Sequence, residues 1–175
     1  MFSMKHAFSI FVVTFTLSAC SFFAEQPTPE PVVVPVVKRD LVAEIRKEAA
    51  KAGDVLVIEP VQNPAVTILL QRIEEADAAG AHAQAHALTL EAEQIEPSNP
   101  VVIQFKAESQ LHTDGFAMAE VLAQKSFDAS AQTGPLCVRN WLTIAEARQA
   151  RLNADGAALA RARAKECPFK AVERL

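Results

Sequence analysis

The chain has 175 residues, half of them hydrophobic, and a formal charge of −4. That is room for one modest domain with a leader and a linker, and the acidic balance with no basic cluster argues against nucleic acid as the main partner. Alanine supplies much of the apolar half, tyrosine is absent, and six of the ten phenylalanines (Phe2, Phe8, Phe11, Phe15, Phe22 and Phe23) sit in or just after the amino-terminal leader, so the folded part leans to helix and is poor in aromatic anchors.

Residues 1–19 read as a secretory signal peptide: Lys5 and His6, then the apolar run AFSIFVVTFTL over 7–17, too short to span a bilayer, which takes about 20 residues. Lys5 is the single cation there, so its removal takes the charge from −4 to −5. The run ends in Leu17-Ser18-Ala19-Cys20. This resembles the lipobox of bacterial lipoproteins, and the resemblance implies diacylglycerol on the Cys20 thiol, cleavage before it and acylation of the new amino terminus. Two or more acyl chains hold a bilayer stably where one is marginal, so the expected protein is anchored rather than spanning. Ser21, where an Asp would resemble an inner-membrane retention signal, implies the outer membrane, facing the periplasm.

Residues 20–39 carry the lipidated cysteine and a tether. Pro27, Pro29, Pro31 and Pro35 favour extended polyproline geometry, although Val32-Val33-Val34 has the composition to pair with an edge. Residues 40–62 form an amino-terminal helix and connector. Asp40 is the expected N-cap of a helix over 41–52 with Leu41, Val42, Ile45 and Ala49 on one face and Gly53 as its stop. The run Val55–Ile58 reads equally as a strand or an extended connector.

Residues 63–168 carry a repeat. Asn63-Pro64 and Asn99-Pro100 are helix starts, a capping Asn with Pro at the first helical position. The spacing predicts helices over 64–78, 82–95, 100–111 and 116–129. Gly80 answers Asp114, His82 answers Phe116, Ala85 answers Ala119, Leu88 answers Leu122 and Ala92 answers Ser126, all 34 residues apart. Ile73 and Ala107 share the mid-helix position of the first helices. A third pair follows over about 136–151 and 154–166. Matching Asp155 to Asp114 makes the offset 41, with about seven residues inserted near 130–135 and Arg148 at the mid-helix position. Pro168 ends the last helix, and 169–175 are a tail.

This pattern resembles the tetratricopeptide repeat, a helix–turn–helix unit of about 34 residues. The resemblance implies an all-α fold, antiparallel helix pairs stacked as a short solenoid of about three repeats, with a concave surface lined by the first helix of each pair that binds an extended peptide or helix. Carried onto this sequence, the groove draws on Leu70, Glu74, Asp77, Gln104, Glu108 and Leu111. Glu74, Glu75, Asp77 and Glu108 make its first half acidic, and Arg139, Arg148 and Arg151 make the other end basic; the same charges also fit an ordinary solvated helix face. Cys137 and Cys167 fall at ends that antiparallel helices bring together, so in an oxidising compartment they are a candidate disulfide, or else two buried thiols.

His82 and His86 have the four-residue spacing of a metal pair but no third ligand nearby in sequence, and no residue is assigned to a metal or cofactor. Cys137 with His112 is the nearest thing to a nucleophile and base. Gly-rich phosphate loops, Ser-centred elbows and His-Glu metal motifs are absent from the sequence, so the expectation is a non-enzymatic protein-binding adaptor for an envelope assembly. It resembles, in shorter form, the helical-repeat lipoproteins that assist secretins and pili. The alternative is a structural or self-associating lipoprotein with no dedicated client, and a more remote one is a minor enzyme or metal-binding protein.

Overall fold

The protein is described by a computed structural model, which describes residues 39–52 and 63–167. The leader, Cys20, the tether, Gly53, the Val55–Ile58 run, Pro168 and the tail lie outside the described residues. Seven helices are described: α1 Leu41–Ala50, α2 Pro64–Ala78, α3 His82–Ile95, α4 Pro100–His112, α5 Phe116–Ala129, α6 Gly134–Ala150 and α7 Ala154–Ala164. Among the described residues there is no strand, and no helix is long and apolar enough to cross a membrane. The helices α2/α3, α4/α5 and α6/α7 form antiparallel pairs that stack in chain order as a short helical-repeat solenoid.

Four of the seven helices, α1, α2, α4 and α7, start where a side chain satisfies an orphan amide. Asn63 accepts from the amide of Ala65 at 3.0 Å and Asn99 from that of Val101 at 2.8 Å. One carboxylate links the two starts: Glu96 accepts from the Asn63 amide at 2.9 Å and from the Asn99 side chain at 2.6 Å. Asp40 accepts from the Ala43 amide and Asn153 from that of Gly156, capping α1 and α7.

The structure corrects the reading of the third repeat. Within every pair the connection is three residues (79–81, 113–115 and 151–153), and the connections between pairs are four residues (96–99 and 130–133). No insertion sits near 130–135. The extra residues are a turn of helix, since α6 has 17 residues where α4 has 13. The helix α7 therefore begins 38 residues after α5, from Phe116 to Ala154, not 41. The backbone marks the register: the central residue of each within-pair turn is left-handed, Gly80 at φ 73°, Asp114 at 58° and Leu152 at 61°. Leu152, not Asp155, answers Asp114. Ala145, fully buried, takes the mid-helix position expected of Arg148, and Ala157 answers Ala119 and Ala85, all three buried. Small residues recur there because the paired helices approach closest at those points.

Leu152 is out of place by this logic. A side chain with a Cβ in the left-handed region costs roughly 1–2 kcal/mol, and Leu152 gains nothing back because it is 91% exposed. Leu152→Gly is expected to raise stability by about 1 kcal/mol, read as a higher denaturation midpoint with unchanged slope; a lower midpoint would remove the strain argument.

Although read as a preceding segment, α1 packs on α4 and α6. Val42 and Ile45 share a buried cluster with Leu111 and Ala147, and Ala49 packs with Cys137, Val138, Ala164 and Cys167. The first-helix face of the second and third pairs is thus covered by the chain's own α1.

Candidate functional site

The covered face centres on a carboxylate. Of the 13 residues of α4, eight are buried, so the helix is enclosed nearly all round and Glu108 has no route to water. Its exposure is 0%. Burying an ionised group is tolerated only when it is paired and hydrogen-bonded, and Glu108 is. Arg139 of α6 grips it with two bonds, Nε to Oε1 and Nη2 to Oε2, each 2.8 Å. Arg46 of α1 donates Nε to Oε2 at 2.8 Å, and Gln104 donates to Oε1 at 3.0 Å and to Thr143 Oγ1 at 2.8 Å. Both guanidinium groups also lie on the Phe105 ring, 4.8 Å and 4.5 Å from its centroid. Burial pushes the Glu108 carboxyl up, but Arg139, Arg46 and Gln104 outweigh it and hold the pKa at about 2. The group stays ionised.

From this hub Arg46 reaches a second carboxylate, donating Nη2 to Asp77 Oδ2 at 2.8 Å. The other oxygen, Asp77 Oδ1, faces two histidines: His82 Nδ1 at 3.3 Å and His112 Nε2 at 3.6 Å. The two rings stack, with centroids 3.6 Å apart and planes 17° apart. Burial first, and His82 second, push the His112 pKa below its ordinary value, which favours a neutral imidazole.

These contacts revise the proposed groove. Gln104, Glu108 and Leu111 are buried, because α1 and α6 close over them, and they cannot line an open binding surface. Asp77 is mostly enclosed by its Arg46 pair. Leu70 is half-buried against the first core cluster and Glu74 is exposed; these two of the six remain accessible. The basic end is also spent internally: Arg139 holds Glu108, and Arg148 and Arg151 both hold Glu120 of α5 at 2.8 and 2.9 Å. His86 leaves His82 and meets Ser109 Oγ at 3.1 Å, so the pair four residues apart does not converge. Cys137 is joined to Cys167 and has no thiol to act as a nucleophile beside His112.

From the sequence, only Leu41, Val42, Ile45 and Ala49 of the first helix are assigned to a face, and Arg46 is given no role. The signal lay in α4: Glu108 shares a stripe with Gln104 and Leu111 on a helix that is largely buried, and a buried carboxylate requires a cation from elsewhere in the chain.

Together these features define an all-α helical-repeat domain whose first-helix face is cross-braced by charge and covered by its own amino-terminal helix. No family model matches the chain, and no curated protein matches it. Among solved structures it is similar to the globular C-terminal domain of P. aeruginosa LpoP, at 28% identity and a TM-score of 0.55, over 60% of this chain and 99% of that one.

Proposed function

We propose that this chain is a lipoprotein of the bacterial outer membrane, anchored through Cys20, whose periplasmic helical domain is a non-enzymatic adaptor binding a protein of an envelope assembly. The observation that carries the reading is the match to essentially the whole of the LpoP domain. That domain is the globular, carboxy-terminal part of its protein, and the helical domain read here likewise comes last, after the leader, Cys20 and the proline-rich tether. A tethered helical-repeat domain without a membrane-crossing helix among its described residues suits reaching a partner at a distance from the bilayer. The client surface is the open first pair, where Leu70 and Glu74 are accessible, beside the part of the face that α1 covers.

In-cell crosslinking and affinity capture of the intact protein, a Cys20→Ala form and a Glu74→Lys form tests this reading. A discrete envelope component is expected with the intact protein, lost when the anchor is removed and weakened several-fold by Glu74→Lys, since a charge reversal on an interface rim lowers association. Glu74 is exposed, so the substitution leaves the fold intact. An unchanged partner set with Glu74→Lys removes the proposed surface. Capture of the protein alone would favour the self-associating alternative.

A further inference from the structure

We propose that Asp77, His82 and His112 form a binding site for a divalent first-row transition cation, with Zn²⁺ as the first candidate. One ligand atom from each residue lies within 4.8 Å of the other two. The carboxylate oxygen is 3.3 Å from His82 Nδ1 and 3.6 Å from His112 Nε2. Ligands about 2.0–2.2 Å from a tetrahedral zinc stand about 3.3–3.6 Å from one another, so these separations already match two edges of a coordination tetrahedron.

Three further observations point into the same spot. His112 Nε2 is enclosed, with no hydrogen-bond partner, and an enclosed ring nitrogen left unpaired is a cost that a ligand would recover. Asp77 is not free to turn: Arg46 holds its Oδ2 at 2.8 Å, which aims Oδ1 at the two rings, the outer-shell arrangement that orients a ligating carboxylate. The His82 side chain is 37% exposed, so one wall opens to solvent, for entry of the ion and for a water as fourth ligand. Two imidazoles and one carboxylate suit zinc, nickel or copper, whereas calcium and magnesium prefer all-oxygen shells.

The rings are stacked, and a bound cation replaces the stack by turning the exposed His82 ring until its Nδ1 lone pair meets that of His112 Nε2. Ligation through His82 Nδ1 replaces the contact of that nitrogen with Asp77 Oδ1, and the neutral ring then carries its proton on Nε2. The three ligands come from the end of α2, the start of α3 and the end of α4. A bound ion would therefore brace the first pair to the second beside the Arg46 contact that holds α1.

The test is zinc titration calorimetry on the untagged full-length mature chain, stripped of metal by a chelator and kept in detergent, with His82→Ala, His112→Ala and His86→Ala compared. Expected is one zinc per chain and a higher melting temperature with zinc. His82→Ala is expected to lower affinity at least about tenfold, because even outer-shell changes cost 10–100-fold, while His86→Ala, whose ring bonds Ser109, leaves it unchanged. His112 is largely enclosed, so circular dichroism accompanies that variant, and the exposed His82 variant decides the matter on its own. No zinc heat in the parent protein, or equal affinity in His82→Ala and the parent, overturns the proposal. The result is independent of the capture experiment above, which reads partner binding at Glu74.

Discussion

Glu108→Gln is expected to cost about 3–5 kcal/mol of folding stability, since removing one member of a buried ion pair leaves the others charged and unpaired. Here two guanidinium groups are stranded, Arg46 on α1 and Arg139 on α6. Whole domains are stable by only about 5–15 kcal/mol, so the variant is expected to be marginal at 37 °C, and the measurement is a denaturant midpoint beside the parent's. The pH profile gives an independent check. The fold holds the Glu108 pKa at about 2 against an ordinary 4.5, so the native state favours the ionised form. Its contribution is present in full above about pH 4.5 and is lost as pH falls toward 2. A shift of that size corresponds to about 3 kcal/mol by linkage. The parent is expected to lose that much between pH 4.5 and 2, and Glu108→Gln to lack this component. Hydrogen exchange locates the damage: α1 amides lose protection first, because Arg46 is the one described α1 residue that reaches α2 and α4 by ion pairs. A variant as stable as the parent, with the same acid profile, would show that the hub is not what holds α1 down.

The contrast between Glu108 and Leu152 explains how much of this molecule was legible in its sequence. Helix starts were legible because the capping chemistry is local: Asn63-Pro64 and Asn99-Pro100 need only their own next two or three amides. The first two pairs, whose period is regular, were read to within about a residue. The third was misread because an apparent match, Asp155 to Asp114, outweighed a less conspicuous one. A left-handed turn position favours Gly or Asn, and Leu152 carries neither signature, so the true register showed only in the backbone. An added helical turn in α6 also leaves no mark of the kind that Gly or Pro leaves in a loop. The candidate site was less legible again. Assigning Gln104, Glu108 and Leu111 to an open groove assumed that the first-helix face had no occupant within the chain. The α1 stripe of Val42, Ile45 and Ala49 shows that this helix must cover something apolar, but not which face. The convergence of Asp77, His82 and His112 joins residues from three helices, and no spacing rule within one helix reaches it.

Opening the Cys137–Cys167 bond is expected to destabilise the protein by roughly 3–4 kcal/mol, the chain-entropy value for a closed loop of this size, given a sequence separation of 30. Apolar burial by the last helix does little to offset that loss. The helix α7 has 11 residues, short of the length at which an isolated helix is stable in water, and its buried residues are three alanines, Ala157, Ala160 and Ala164. Each buries one methyl group where a leucine would bury four carbons, so the hydrophobic gain per residue is small. What ties the end of the chain is chemistry at the start of α6. Thr133 Oγ1 and the Gly134 amide donate to the Cys167 carbonyl at 2.9 and 3.0 Å, and the disulfide itself sits buried with Ala49 and Val138. The same cluster receives the carboxy-terminal half of α1, so loosening α7 uncovers Ala49 as well. A Cys137→Ala/Cys167→Ala variant, or the parent in reductant with both thiols confirmed by alkylation, is expected to melt roughly 10 °C or more below the oxidised protein. Exchange protection should fall first in α7 and then in α1, while α2 and α3, whose cluster of Val66, Leu69, Ile73 and Leu88 lies in the first pair, keep theirs. Equal melting temperatures with free thiols present would mean that alanine packing alone holds the third pair. The order of loss separates a local staple from a general one, because only a staple at the third pair leaves the first pair's core untouched.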